Sequence, residues 1–147
     1  MTGIRSALVC MLVSGVALTF GACSSDSGKT VDVAVADFTL KPAPTSVAAG
    51  DVKFKVKNNG AFVHEMVVVK VADASDLPTE PNGEVDETKI PKAEQLGEVE
   101  DVDPGKTKTL ELTLTAGKYV LFCNRVDGTT VHFKKGMYAD FTVTPAE

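Results

Sequence analysis

The chain has no tryptophan, only three cysteines, only two histidines and no excess of positive charge. Each shortage excludes something. Three cysteines cannot staple a disulfide-dense mini-domain. With 15 Lys+Arg against 20 Asp+Glu, the formal net charge is −5 and the pI about 5.0. That is the opposite of the basic footprint a nucleic-acid binder carries, so no nucleic-acid partner is expected. The apolar stretch near the amino terminus, Ala7 to Phe20, is 14 residues long, short of the about 20 that a spanning helix needs. No Ser-His-Asp arrangement, paired-carboxylate motif or phosphate loop is present, so an enzyme is not expected. There is no internal repeat and no long amphipathic helix. What remains in 147 residues, 44% hydrophobic and 24% charged, is one domain with a core of its own.

Residues 1–22 read as an export signal. Arg5 precedes the apolar run, and the small residues Gly21 and Ala22 lead to Cys23, which is the order of a secretory leader. A retained N-terminal anchor is the alternative. Phe20-Gly21-Ala22-Cys23 also resembles the lipobox of bacterial lipoproteins, although Phe20 stands where Leu is usual. The resemblance implies that Cys23 is the lipid-modified first residue of the mature chain, facing outside the cytoplasm on the cell membrane. An unmodified cysteine near an ordinary cleavage site is the other possibility. Residues 23–29 are small and polar and suit a flexible tether, which leaves residues 30–147 as the domain. Cys10 then lies in the leader and Cys23 is consumed, so Cys123 is the one thiol left in an exported domain. Such a thiol needs protection by burial or by a metal, or else pairs between molecules.

The domain reads as strands. Val31, Val33 and Val35 alternate with Asp32 and Ala34; Val52, Phe54 and Val56 alternate with Lys53, Lys55 and Lys57. Asn58-Asn59-Gly60 signals a turn into Phe62–Val71, and Asp103-Pro104-Gly105-Lys106 a tight turn between 98–102 and 107–115. Tyr119, Leu121 and Cys123 share one strand face, with Val120 and Phe122 on the other. Phe141 and Val143 mark the last strand. Short strands punctuated by turns predict an all-β antiparallel sandwich or barrel. Residues 72–97 are the exception: Pro78, Pro81 and Pro91 interrupt them, apolar residues are few, and a short helical turn within 87–96 is the only local element expected. Between Asp73 and Asp103 there are 11 acidic and 2 basic residues, a local charge of −9. A solvated loop that resists aggregation is the first expectation there, a docking surface the second.

The chemistry gathers around the two histidines. His64 follows the Asn-Gly turn; Cys123 closes an apolar strand; His132 and Met137 follow it, with Gly136 expected to allow a tight approach beside Met137. Two imidazoles, a thiolate and a thioether are the donor set of a blue-copper electron-transfer centre. Thiolate is soft and stabilises Cu(I); imidazole serves both oxidation states; a weak axial thioether tunes the potential without closing a rigid cage. Taken singly, each of the four is an ordinary core or surface residue. Met66, two residues from His64, is a competing thioether with core packing as its plainer role.

Asn58-Asn59-Gly60 with His64-Glu65, Gly117-Lys118-Tyr119-Val120-Leu121-Phe122-Cys123-Asn124, and His132 with Gly136-Met137-Tyr138 resemble the cupredoxin family, in particular exported plastocyanin- and azurin-like proteins. The resemblance spans roughly residues 30–144. It implies a Greek-key β-sandwich of about eight strands, with one copper at one end held by His64, Cys123, His132 and Met137. Two features depart from the family pattern. Eight residues separate Cys123 from His132, where short-loop members have only a few; Arg125 to Val131 is expected to bulge out as a hairpin-like tip. Glu65 stands where Asn often braces the ligand loop, and Asn124 is expected to take over part of that bracing. The expected function is therefore a monomeric, lipid-anchored carrier of single electrons between redox partner proteins. A copper chaperone or buffer using the same ligands, and a metal-free sandwich that binds partners, are the alternatives.

Overall fold

The computed structural model describes residues 28–146. The expected export signal, Cys23 and the expected tether up to residue 27 lie outside the described residues.

Alternation decides which face of each strand is dry. In β1 (Lys29–Ala36) and β4 (Gly50–Asn58) the valines and Phe54 are buried, while Asp32, Lys55 and Lys57 are exposed. These two strands pair in parallel. β2 (Thr39–Ala43) and β7 (Thr107–Leu114) flank them antiparallel, giving a four-stranded sheet in the order β2-β1-β4-β7. The second sheet has five strands in the order β3-β11-β8-β5-β6, where β3 is Ser46–Ala48, β5 His64–Val69, β6 Gln95–Val102, β8 Gly117–Phe122 and β11 Tyr138–Thr144. A two-stranded hairpin, β9 (Val126–Asp127) with β10 (Thr130–Val131), stands apart from both.

The sequence predicts about eight strands; eleven form among the described residues. The difference has two sources. β2 and β3 are one bent passage that leaves the first sheet and joins the second around Pro44, a residue that cannot donate to a ladder. The other is the β9–β10 hairpin, which sits in the insertion between Cys123 and His132. Without these, the sandwich has the expected eight. Neither predicted turn makes a hairpin within one sheet. Asn58-Asn59-Gly60 carries the chain from β4 to β5, and Asp103–Lys106 from β6 to β7, each crossing between sheets.

Between the sheets lies the main core, built from Val31, Val33, Val35, Phe54, Val56, Met66, Val68, Tyr119, Leu121, Phe141 and Val143, with Cys123 and Met137 at one end. The opposite face of the second sheet is also dry. Val67, Val69, Val120 and Phe122 pack there against Ala74, Leu77, Val85 and Ile90. Residues 72–97 are thus not simply a solvated loop. They form a cover whose apolar residues, spaced irregularly, seal this face, while two 3₁₀ turns, Ala74–Asp76 and Glu87–Lys89, are capped by the carboxylates of Asp73 and Asp86. The short turn expected within 87–96 is the second of these.

Candidate metal centre

All of the chemistry sits at one end of the sandwich, where β1 and β4 finish, β5 begins, β6 and β8 finish and β11 begins. His64 is the first residue of β5 and pairs with Val102 of β6. Past that pair, β6 holds one extra residue opposite β5, and Asp101 adopts φ +49°. A bulge of this kind bends the strand and re-aims its neighbours.

Buried Asn58 ties these ends together. Its Nδ2 donates to the carbonyls of Phe62 and Val102, both at 2.7 Å, and its Oδ1 accepts from Gly60 N–H at 2.8 Å. This side chain spans the turn before His64 and the strand beside it, with every major hydrogen-bonding direction used. From the sequence it reads only as a turn residue. Gly60 is needed for space: a Cβ there would fall on the Asp37 carboxylate and 2.8 Å from the Asp37 backbone nitrogen.

Cys123 follows β8 and is fully buried. His132 follows the hairpin, opens the 3₁₀ turn Phe133–Lys135 and is fully buried too. Met137 comes next, after Gly136 in the left-handed region at φ +90°. A Cβ at Gly136 would meet nothing within 4 Å. Glycine is therefore required there for its backbone angle, not for the close approach the sequence suggests. Main-chain bonds lace this segment: Cys123 N–H to Met137 O at 3.0 Å and Met137 N–H to His132 O at 3.2 Å.

The donor atoms converge. His64 Nδ1 and His132 Nδ1 are 3.2 Å apart; Cys123 Sγ is 3.4 Å from His132 Nδ1 and 4.0 Å from His64 Nδ1. No other group of three or more His, Cys, Asp or Glu side chains among the described residues is placed to hold a metal ion. Met137 and Met66 are both fully buried in the same core cluster as Cys123; the main-chain bonds to Cys123 and His132 tie Met137 to the ligand segment, and Met66 lies two positions from His64 along β5.

Burial sets the protonation of the donors. It pushes the Cys123 thiol up to about 11. It also lowers His64, helped by the neighbouring His132 and opposed by Asp37. Both rings turn their Nε2 away from the convergence point and toward a carboxylate: Asp37 Oδ1 lies 3.3 Å from His64 Nε2, and Asp127 Oδ2 lies 2.8 Å from His132 Nε2. Burial opposes charge on Asp37, but the N–H groups of Phe62 and Ala61, with His64, hold it below the usual carboxylate range. Neither aspartate has a sequence signal, since tertiary folding alone brings it to the histidine.

Glu65 braces the ligand loop itself, its Oε1 accepting from Asn124 N–H at 2.9 Å, one residue past Cys123. Burial raises the Glu65 carboxyl to about 7, with Glu87 adding to the effect and the Asn124 bond opposing it. The Asn124 side chain does something else than expected. It pairs with the backbone N–H and carbonyl of Val85 at 2.8 and 2.9 Å and reaches Glu87 at 2.9 Å. It pins the cover rather than the ligand loop. Phe38 and Phe62 shield His132 from outside, with ring centroids 5.3 and 6.2 Å from the imidazole.

A two-sheet sandwich with a buried His-Cys-His cluster at one end is the architecture of small copper proteins. The cupredoxin-like domain family matches the chain over residues 8–132, and the chain belongs to that family. Among solved structures, a dithionite-reduced auracyanin from Roseiflexus castenholzii is similar at 21% identity and a TM-score of 0.61, over 80% of this chain and 98% of that one. Auracyanin A of Chloroflexus aurantiacus, a "blue" copper protein, gives 22% identity and a TM-score of 0.55 over 78% and 98%. Rusticyanin of Thiobacillus ferrooxidans gives 19% and 0.53 over 80% and 79%. No curated protein matches the chain by sequence.

Proposed function

We propose that the protein is a mononuclear blue-copper electron carrier, in which His64, Cys123, His132 and Met137 would hold the metal. The convergence of two Nδ1 atoms and one Sγ, all buried and drawn from separate parts of the chain, carries the reading. The donor set fits copper: one soft thiolate, two imidazoles and a thioether are what this metal takes when it cycles between two oxidation states. Bound there, copper supplies a one-electron couple. The chain's own part is to hold the donors still and keep water out. Asn58 fixes the approach to His64, Glu65 holds the backbone after Cys123, and Phe38 and Phe62 cover His132. No general acid or base is required of it. Export and attachment through a lipid on Cys23 belong to the same proposal and are supported by Phe20-Gly21-Ala22-Cys23 and the polar residues after it.

The visible spectrum of the copper-loaded protein tests the site. A strong thiolate-to-copper band is expected, and Cys123→Ser should abolish it. Met137→Leu should keep the colour and raise the potential, whereas Met66→Leu should change neither. A full band in Cys123→Ser, or a large change confined to Met66→Leu, overturns the assignment. Film voltammetry with a chelator-transfer assay then tests the role: reversible cycling with slow copper loss in both states supports a carrier, and rapid loss of Cu(I) on reduction indicates a copper donor. An unmodified mature N-terminus in mass spectrometry would refute the lipid anchor.

A further inference from the structure

We propose that Asp127, delivered by the β9–β10 hairpin, is a positioning residue for His132. With Asp37 on His64, it fixes both imidazoles as Nε2–H tautomers whose Nδ1 lone pairs face one metal ion. The inference rests on reading these residues as a metal site, and goes beyond it in giving the long insertion a function.

Each histidine backs onto an aspartate, Asp37 in hydrogen-bonding geometry and Asp127 at ion-pair distance. Each ring is fully buried. Each Nδ1 points to the convergence point, and each Nε2 meets one carboxylate oxygen, at 3.3 Å for Asp37 and 2.8 Å for Asp127. An ionised carboxylate only accepts, so the ring nitrogen facing it carries the hydrogen. The other nitrogen is then a bare lone pair. With both rings so fixed, two lone pairs and a sulfur crowd within 4.0 Å of one another, an arrangement that a cation relieves. A carboxylate behind a ligating imidazole also makes it a better donor.

The Asp127 contact carries the stronger information. Despite the 2.8 Å separation, His132 Nε2 and Asp127 Oδ2 are not aligned as a hydrogen bond, and both atoms are buried without another hydrogen-bond partner. Buried polar atoms of this kind are costly unless they are paired. Each is the nearest partner available to the other.

The hairpin is built to keep Asp127 in place. Thr130 and Val131 pair with Asp127 and Val126. Gly128, at φ +61°, makes the tip. His132 N–H closes the base on Arg125 O at 2.9 Å. Arg125 is tied by its guanidinium to Asp101 in the β6 bulge at 2.7 Å, and Val131 is buried against the second core. The insertion is thus a strap that places a negative charge behind one ligand.

The test begins with the metal-free protein, where ¹⁵N-detected imidazole resonances report the tautomer. His132 should be the Nε2–H form in the wild type. Asp127→Ala should shift it toward a mixture, and Asp127→Glu should restore it in part. Thr129→Ala, at the exposed tip of the same hairpin, should leave it unchanged. In copper titrations Asp127→Ala should weaken binding by about 10-fold or more, and Asp127→Asn should raise the potential, because a negative charge that favours the more positive ion is removed. An Nδ1–H tautomer in the wild type, or an Asp127→Ala protein with unchanged tautomer and affinity, overturns the proposal. If the wild type binds no copper, the functional reading fails, while the tautomer measurement still decides the role of Asp127.

Discussion

At the scale of single residues, the site couples proton chemistry to metal loading. The Cys123 thiol, pushed up to about 11 by burial, holds its proton at neutral pH, and His64, lowered by burial, is neutral there. Copper must then displace a proton from sulfur and none from His64. Loading near pH 7.5 should release about one proton per copper more in the wild type than in Cys123→Ser, read with a pH indicator in weak buffer. Glu65 gives a second pH effect with an unusual sign for a carboxylate. Its folded value, about 7, lies above the ordinary 4.5. Between these the unfolded chain has already lost the proton that the folded one keeps, so the contribution of Glu65 to stability is fully present below about pH 4.5 and is lost as pH rises through about 7. Glu65→Gln keeps an oxygen for Asn124 N–H and removes the charge. It should stabilise the protein above pH 7 by on the order of 1–2 kcal/mol, allowing for partial solvation, and have little effect at pH 4.5. Denaturant melts at the two pH values check this.

At the scale of elements, the cover formed by residues 72–97 and the loop at Asn58–Gly60 divide the work. The cover seals the outer face of the five-stranded sheet but supplies no ligand. Ile90→Ala should cost about 2–4 kcal/mol, as large-to-small changes in cores do, with the copper spectrum unchanged. Gly60→Ala should do the reverse. Its Cβ collides with Asp37, the carboxylate behind His64, so the spectrum and the potential should shift more than the melting temperature. The same two elements show what the sequence discloses. Strand faces are legible where alternation is strict, as in Tyr119 to Cys123, because burial follows the period of the backbone. The convergence of His64, Cys123 and His132 is legible because their chemistry is rare in combination. β2 is obscured by Pro42, which an edge strand tolerates when its nitrogen faces away from the ladder. The cover is obscured because Ala74, Leu77, Val85 and Ile90 follow no period. Asp37 and Asp127 look like any turn aspartates until the sandwich closes and carries each to a ring.

At the scale of the whole molecule, the two ends of the described chain lie together and away from the metal centre. Lys29 pairs alongside Val52 at the start of β1, and Thr144 alongside Ala48 at the end of β11. Asp37 follows the far end of β1, and Tyr138, beside the proposed ligand Met137, begins β11. Fusing a folded domain ahead of Lys29 or after Thr144 should therefore leave the copper spectrum unchanged, whereas inserting it at Gly128 should not. Absorption spectra of the three fusions would show it.

This polarity also sets a reach. The eight residues of β1, at about 3.3 Å each, carry the chain roughly 25 Å from its point of attachment to the metal pole. If the proposed lipid on Cys23 anchors the chain, the six residues from there to Lys29 span at most about 20 Å fully extended. The redox pole would then sweep a shallow dome no more than about 45 Å above the bilayer, facing outward. A partner embedded in the same membrane would have to rise to meet it, or the domain would have to lie on its side. A soluble partner approaching from outside would meet the pole first.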